Sequence, residues 1–361
     1  METHATGEEP AGTRARAPEA RFDALNSQSL RFLPDLVRDL GGDPTALFRK
    51  ARISPQVVDR RDSTIAYRSF VQMLELAAAD LKRPDFGMLL AQRQSGHKVM
   101  GPIGIVMKNS ATVGQALGYC AKHIHAYCLA TRVRFEPDRR QHILFVRLEV
   151  LLDGLPQRTQ AVEHALLLAH RNIIEISGGR AAVRQVRFQH EPHSSPARYR
   201  EHFGCDVRFG QPSDGIQVTE DDLLCPVQEA DEQIYEMATS YIDSHFPQGA
   251  PPTHALVREL IRRHLADENC RNEFIAAELC MHARTLQRRL KDEGTTFEDL
   301  KDEVRRGMAL HYLLNSGLPL AHVAEKLGYA DTSVLTRSCN RWFGTSPHLL
   351  RQQDRTGSVA H

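Results

Sequence analysis

The chain has 361 residues, enough for two domains of ordinary size. A content of 41% hydrophobic and 25% charged residues is that of an ordinary globular protein, and no run of about eighteen apolar residues is present to span a membrane. With 46 basic against 45 acidic residues the net charge is +1, so bulk charge points to no polyanion, and any nucleic-acid argument must rest on local placement.

Residues 1–22, beginning METHATGEEPAGTRARAPEA, lack the apolar core of a signal peptide. They are expected to form a disordered tail, with the cytoplasm as the compartment. Residues 23–243 mix two periods, which predicts an α+β domain. YRSFVQMLELAAADL (67–81) and TQAVEHALLLAHRNIIEIS (159–177) repeat apolar residues at helical spacing. TRVRFEP (131–137) and HILFVRLEVL (142–151) alternate around the turn PDRR (137–140) and predict a hairpin, with VRQVRFQH (183–190) as a further strand. Arg139 and Arg140 are read as solvated turn residues.

GPIGIVMKNSATVGQAL (101–117) reads as a Gly-punctuated apolar segment followed by a helix that Ser110 or Thr112 caps. The free amides of such a helix start could hold a ligand carboxylate; the plainer expectation is a capped core helix. The seven cysteines are scattered without CxxC and are expected to be small buried apolar residues. Cys120, His123, His125 and Cys128 lie close in sequence, but their spacing brings at most two ligands to one helix face, and no metal site is expected. His164 and His170, in an apolar helix, are expected to be hydrogen-bonded core residues. Nucleophile-elbow and HExxH motifs are absent, so neither an enzyme nor a cofactor is expected.

SHFPQGAPPT (244–253) is the clearest break and the expected linker. Residues 254–352 are helical in period, and 353–361 are expected to be a flexible tail. Within the helical stretch a pattern occurs twice. IAAEL (275–279) aligns with VAEKL (323–327) at an offset of 48, and LQRRL (286–290) with LTRSC (335–339) at 49. Each copy predicts a short helix, a tight turn and a second helix, with the extra residue in the turn. The piece between, FEDLKDEVRRGMALHYLLNSG (297–317), predicts a single connecting helix.

In the first copy Leu286 and Leu290 face inward, leaving Arg284, Gln287, Arg288 and Lys291 outward. In the second, Leu335, Cys339 and Phe343 mark the inward side. Thr332, Thr336, Ser333 and Arg337 mark the outer one. Arg, Gln and hydroxyl side chains in a stripe are what base edges in a major groove require, and a pair on a rigid connector suits grooves roughly 34 Å apart. A polar stripe on one helix is usually a solvated face; the duplication argues against that reading here.

IAAELCMHARTLQRRLKDEG, RRGMALHYLLNSG and VAEKLGYADTSVLTRSCNRWFGTSPHLLR resemble the DNA-binding domain of the AraC/XylS family of transcriptional regulators, over about 95 residues, with RWFGTSP (341–347) as the most specific part. The resemblance implies an all-α C-terminal domain of two helix-turn-helix units. By position, Arg284, Gln287 and Arg288 fall where the family's first recognition helix reads bases, and Thr332, Ser333 and Arg337 where the second does. The family usually carries aromatic residues at Leu335 and Cys339 and a small apolar residue at Ser338, so a looser second unit is expected. LKRPDFGMLLAQRQ (81–94) and GPIGIVMKNSATVGQALGYCAKHIHAYC (101–128) resemble the arabinose-binding-type sensor of the branch that holds ornithine-use and virulence regulators. That implies an unidentified small-molecule effector and a domain able to dimerise.

The expected partners are therefore double-stranded DNA, a small-molecule effector, a second copy of the chain and RNA polymerase, with no membrane. From Met281 to His361 there are 12 basic and 9 acidic residues, and the acidic cluster Asp292, Glu293, Glu298, Asp299, Asp302, Glu303 is expected to face away from DNA. Two alternatives stand beside this: a metal- or haem-linked sensor enzyme in the N-terminal half, and a helical adaptor that binds protein.

Overall fold

The computed structural model describes residues 22–58, 63–152, 155, 157–246, 251–267 and 270–357. Residues 1–21 of the expected tail 1–22, four linker residues (247–250) and the last four residues lie outside that set, whereas Phe22 is buried in the core. An antiparallel ribbon of β1 (Ala24–Asn26) and β2 (Thr64–Ala66) brackets α1 (Leu33–Asp39) and α2 (Pro44–Lys50). Next come α3 (Tyr67–Asp80), α4 (Phe86–Arg93), α5 (Gly96–Val99), α6 (Pro102–Asn109) and α7 (Val113–His123). The main sheet and its helices follow: β3 (Thr131–Asp138), β4 (Ile143–Val150), α8 (Thr159–Ile176), β5 (Gln185–Arg187), α9 (Pro196–Phe203), β6 (Asp206–Arg208) and β7 (Asp214–Thr219). Two helices, α10 (Glu220–Leu224) and α11 (Glu232–His245), close the first half. The second half is all helix: α12 (Thr253–His264), α13 (Asn272–Glu278), α14 (Ala283–Asp292), α15 (Phe297–Asn315), α16 (Leu320–Lys326), α17 (Thr332–Phe343) and α18 (Pro347–Gly357).

The first half is α+β and the second all-α, as the two sequence periods predict. The sheet order is β3-β4-β7-β5-β6, antiparallel except for β5 with β6. The hairpin pairs Thr131 with Val150 through to Asp138 with Ile143. On β4 the alternation divides the residues: Leu144, Val146, Leu148 and Val150 join the core beneath α8, while Phe145, Arg147 and Glu149 point to the opposite face. One apolar core runs from Phe22 to Ala255 and a second from Val257 to Cys339.

The Gly-punctuated apolar segment after Gly101 is itself a helix over Pro102–Asn109, ahead of the expected one. Pro102 opens it, and Gly104 sits inside it because a Cβ there would lie 1.8 Å from the His97 carbonyl oxygen. Close approach of two backbones, and no break, explains that glycine. The next helix, α7, is capped as the plainer expectation holds: Thr112 accepts from the Gln115 amide at 3.2 Å. The Val113 amide donates to Cys225 O at 3.0 Å, and Ala111 to Gln115 Oε1 at 2.6 Å. The chain itself uses these donors, which counts against an anion site at this helix start.

His164 is buried and hydrogen-bonded to Gln94 at 2.7 Å. His170 is buried against Phe203, yet its Nδ1 has no hydrogen-bond partner among the described residues, contrary to the expectation of a satisfied pair. Ring packing, and not a polar partner, accounts for its place. His123 stacks on Tyr119 with centroids 4.1 Å apart, and His125 Nε2 meets Phe246 O at 3.2 Å. Of the seven cysteines, Cys120, Cys128, Cys270 and Cys339 are buried, Cys205 and Cys225 are half-buried, and Cys280 is exposed, so the expectation of burial fails at Cys280.

On α8, Glu163 is fully buried and accepts from the Tyr199 hydroxyl at 2.5 Å. Burial pushes its carboxyl up from 4.5 to about 8, with Glu75 and Asp85 adding to the rise. Below pH 4.5 folded and unfolded chains both hold the proton. Between pH 4.5 and 8 the unfolded chain releases it while the folded chain keeps it, so stability falls as pH rises through that window. Glu163→Gln keeps an acceptor for Tyr199 and removes the titration. Denaturant unfolding at pH 5 and pH 8 is expected to show the variant gaining on the order of 2 kcal/mol over the parent between the two. An equal pH slope in both proteins would refute this.

Candidate DNA-binding interface

Each half of the tandem pattern folds as two helices around a tight turn. In the first, α13 ends at Leu279, Cys280 adopts a left-handed φ of 53°, and the Met281 amide returns to Ala276 O at 2.9 Å. In the second, α16 ends at Leu327, Gly328 has φ 65°, and the Tyr329 amide returns to Ala324 O at 2.9 Å. Cys280 and Gly328 are thus equivalent, 48 residues apart. The helices that follow start at Ala283 and Thr332, which are 49 apart. The additional residue lies in the turn.

Steric crowding fixes the residue at the Gly328 turn. A Cβ there would lie 2.1 Å from Leu265 O, so the turn presses on the end of α12 where only glycine fits. Arg305 of the connecting helix α15 donates to Leu327 O at 3.0 Å and to Gly328 O at 3.2 Å, and lies over the Tyr329 ring at 4.5 Å. Asp331 then starts α17 by accepting from the Ser333 amide at 2.7 Å and the Val334 amide at 3.3 Å. Hydrogen bonds from Ser333 hold the Asp331 carboxyl below its usual range, followed by the Val334 amide and the nearby Arg337 charge.

Leu286 and Leu290 of α14, and Leu335 and Cys339 of α17, are fully buried in the second core. Arg284, Gln287, Arg288, Thr332, Ser333 and Arg337 are all exposed. Arg284, Arg288 and Arg337 make no ion pair among the described residues. Thr336, on the outer side by spacing, is half-buried, and its hydroxyl donates to Thr332 O at 2.9 Å. Ser338 is buried and its hydroxyl meets that of Tyr329 at 3.0 Å. Tyr329, Trp342 and Phe343 pack against the same core as Leu335 and Cys339, so rings do reach the second unit, from neighbouring positions.

Most residues of the RWFGTSP stretch have a structural role. Arg341 pairs with Asp302 of α15, and Trp342 Nε1 donates to the other oxygen of that carboxylate at 2.9 Å. Arg306 lies 5.7 Å from the Phe343 ring, Gly344 ends α17, and Ser346 with Pro347 starts α18. Arg351 then donates to Leu318 O at 2.8 Å. The neighbouring acidic residues are also engaged: Glu293 accepts from the Thr253 and His254 amides at 2.8 and 2.7 Å, Asp299 bonds Thr296 at 2.7 Å, and Glu303 pairs with Arg258 at 2.8 Å. Several of these carboxylates therefore tie helices together. Their helical phase alone gives no sign of it, because the partners lie up to 45 residues away.

Residues 41–227 match the family described as the arabinose-binding domain of AraC transcription regulators, and residues 275–353 match a helix-turn-helix domain. The chain belongs to the AraC family of transcriptional regulators. It is 36% identical over 317 residues to the HTH-type transcriptional regulator VirS of Mycobacterium tuberculosis, spanning 88% of this chain and 93% of that one. It is 28% identical over 339 residues to the ornithine utilization regulator of Pseudomonas aeruginosa, spanning 89% and 94%. The crystal structure of the transcriptional regulator CdpR from the same organism aligns over 85% of this chain and 96% of its own, at 21% identity and a TM-score of 0.42. The protein is thus a DNA-binding regulator and not an enzyme. Among the described residues no helix is long and apolar enough to cross a membrane.

Proposed function

We propose that this AraC-family regulator responds to a small-molecule effector and reads DNA with both α14 and α17, set in successive major grooves. Arg284, Gln287 and Arg288 read base edges in one groove, and Thr332, Ser333 and Arg337 in the next. One observation carries this reading: all six side chains are exposed on two helices whose buried faces share one core, and the three arginines are unspent on internal ion pairs among the described residues. The sensor then comprises residues 23–243, the linker 244–253 and the reader 254–352. A second copy of the chain and RNA polymerase are the further partners. The exposed stripe of Ile234, Met237 and Tyr241 on α11 supports the former.

Binding to a promoter fragment, followed by fluorescence anisotropy, is expected to weaken steeply between 50 and 200 mM salt, by on the order of a thousandfold for six phosphate contacts. A flat salt response would instead favour the protein-binding adaptor. Arg288→Ala is expected to lose about 1–3 kcal/mol of discrimination at one base pair. Arg337→Ala is expected to relax the other half of the site by less. Binding-site selection measures both, and an unchanged consensus for the two variants would remove these roles.

A further inference from the structure

The sensor half contains a cavity of about 130 Å³ between α8 and the inner face of the sheet. Ala161, Ala165 and Ala169, successive turns of α8, form one wall, and Val146 and Ile216 of the sheet face them. Methyl groups at those three helix positions leave open the space that larger side chains would fill. Arg147 lines the edge, yet strand alternation turns its side chain to the other face, where Nη2 donates to Glu136 at 2.9 Å. No other charged side chain lines the cavity among the described residues.

Two polar groups on α8 line the same space. Asn172 is 2% exposed, its Nδ2 reaches only the Met107 sulfur at 3.6 Å, and its Oδ1 has no hydrogen-bond partner among the described residues. Buried acceptors are rarely left so. His164 is the second. Gln94 Nε2 donates to Ser29 O at 3.0 Å and to Arg31 O at 2.8 Å, which uses both its hydrogens. Gln94 Oε1 is then the acceptor in the 2.7 Å bond with His164 Nε2, so that nitrogen carries the hydrogen and Nδ1 keeps a lone pair. Burial pushes the imidazole down to about 4, so the ring is neutral. Tyr67, Tyr127, Thr131, Cys120 and Cys128 also line the cavity, so its polar groups are a few uncharged donors and acceptors set in mainly apolar walls.

We infer that this cavity takes a small, uncharged, mainly apolar ligand, a phenol or similar ring alcohol of on the order of seven heavy atoms, whose O–H donates to His164 Nδ1. The inference rests on the effector-responsive reading above and gives that effector a chemical class. A sugar would bury several hydroxyls against apolar walls, and an amino acid would bury charges with no counter-ion; both are disfavoured by the same desolvation.

The test uses the full chain without DNA and isothermal titration calorimetry with phenol, toluene, benzoate, L-arabinose and L-ornithine. Phenol is expected to bind at least tenfold more tightly than benzoate, arabinose or ornithine. His164→Leu is expected to weaken phenol about tenfold while toluene holds or improves. Ala165→Leu, which fills the cavity, is expected to abolish both, and the His164 variant stands alone if the Ala165 variant fails to fold. Tighter binding of arabinose, ornithine or benzoate, or phenol binding unaltered in both variants, overturns the assignment. DNA binding is read separately, so the two failures are distinct. Protein that binds promoter DNA but not phenol loses the cavity's ligand class, and protein that binds phenol but not DNA loses the regulator mechanism.

Discussion

Gly328→Val is expected to destabilise the C-terminal half by about 4 kcal/mol, seen as a lower denaturant midpoint for the helical unit. Two costs add. A β-branched residue at a φ of 65° pays roughly 1–3 kcal/mol of backbone strain. Its Cβ would also stand 2.1 Å from the Leu265 carbonyl oxygen, and backbone on both sides leaves little room to yield. Moving the turn to relieve that clash pulls the Leu327 and Gly328 carbonyls away from Arg305. DNA affinity should fall with stability, through loss of α17 from its seat. A midpoint change equivalent to less than about 1 kcal/mol would show that the turn does not hold the second unit in place.

Glu149→Ala is expected to cost about 3 kcal/mol, because breaking a buried ion pair strands its partners. The Glu149 side chain is fully buried on the outer face of β4, between Arg132 at 2.8 Å and Arg263 of α12. Removing the carboxylate leaves two guanidinium groups facing each other, one from each half of the protein. Arg263 also lies 3.6 Å from Glu278 of α13, so the first helix-turn-helix unit shares this cluster. Arg263→Ala should cost less, since it leaves Glu149 with Arg132. A double-mutant cycle between positions 149 and 263 is expected to return a coupling of about 1–3 kcal/mol, whereas additive losses would deny any link between the halves.

The features with local periods were legible in the sequence. Helices 67–80 and 159–176, both bihelical units and the hairpin follow from spacing alone, although its turn falls at 139–142 and not at 137–140, because Pro137 and Asp138 still pair with Leu144 and Ile143. Arg288 and Arg337 could be assigned to outer faces because Leu286, Leu290, Leu335 and Cys339 fix the inward phase. What stayed hidden depends on distant partners. Gly104 looks like a breaker until His97 O is placed against it. Asp302 looks like one more solvated acid until Arg341 and Trp342 arrive from 39 and 40 residues away. The order β4-β7-β5-β6 brings together strands of three to eight residues, too short to announce their neighbours. The alanines of α8 read as good helix formers, and the space they leave appears only when the sheet lies opposite.

The two equivalent turns carry opposite tolerances. At position 280 a cysteine occupies the left-handed conformation in the open, so torsion alone governs what can stand there, and glycine would relieve about 1 kcal/mol. At position 328 torsion and a carbonyl wall act together, and the choice narrows to a single residue type. The two copies of one pattern therefore contain a permissive turn and a locked one. Engineered replacements that retune the first reading helix can reach into its turn, while those aimed at the second must begin after Asp331.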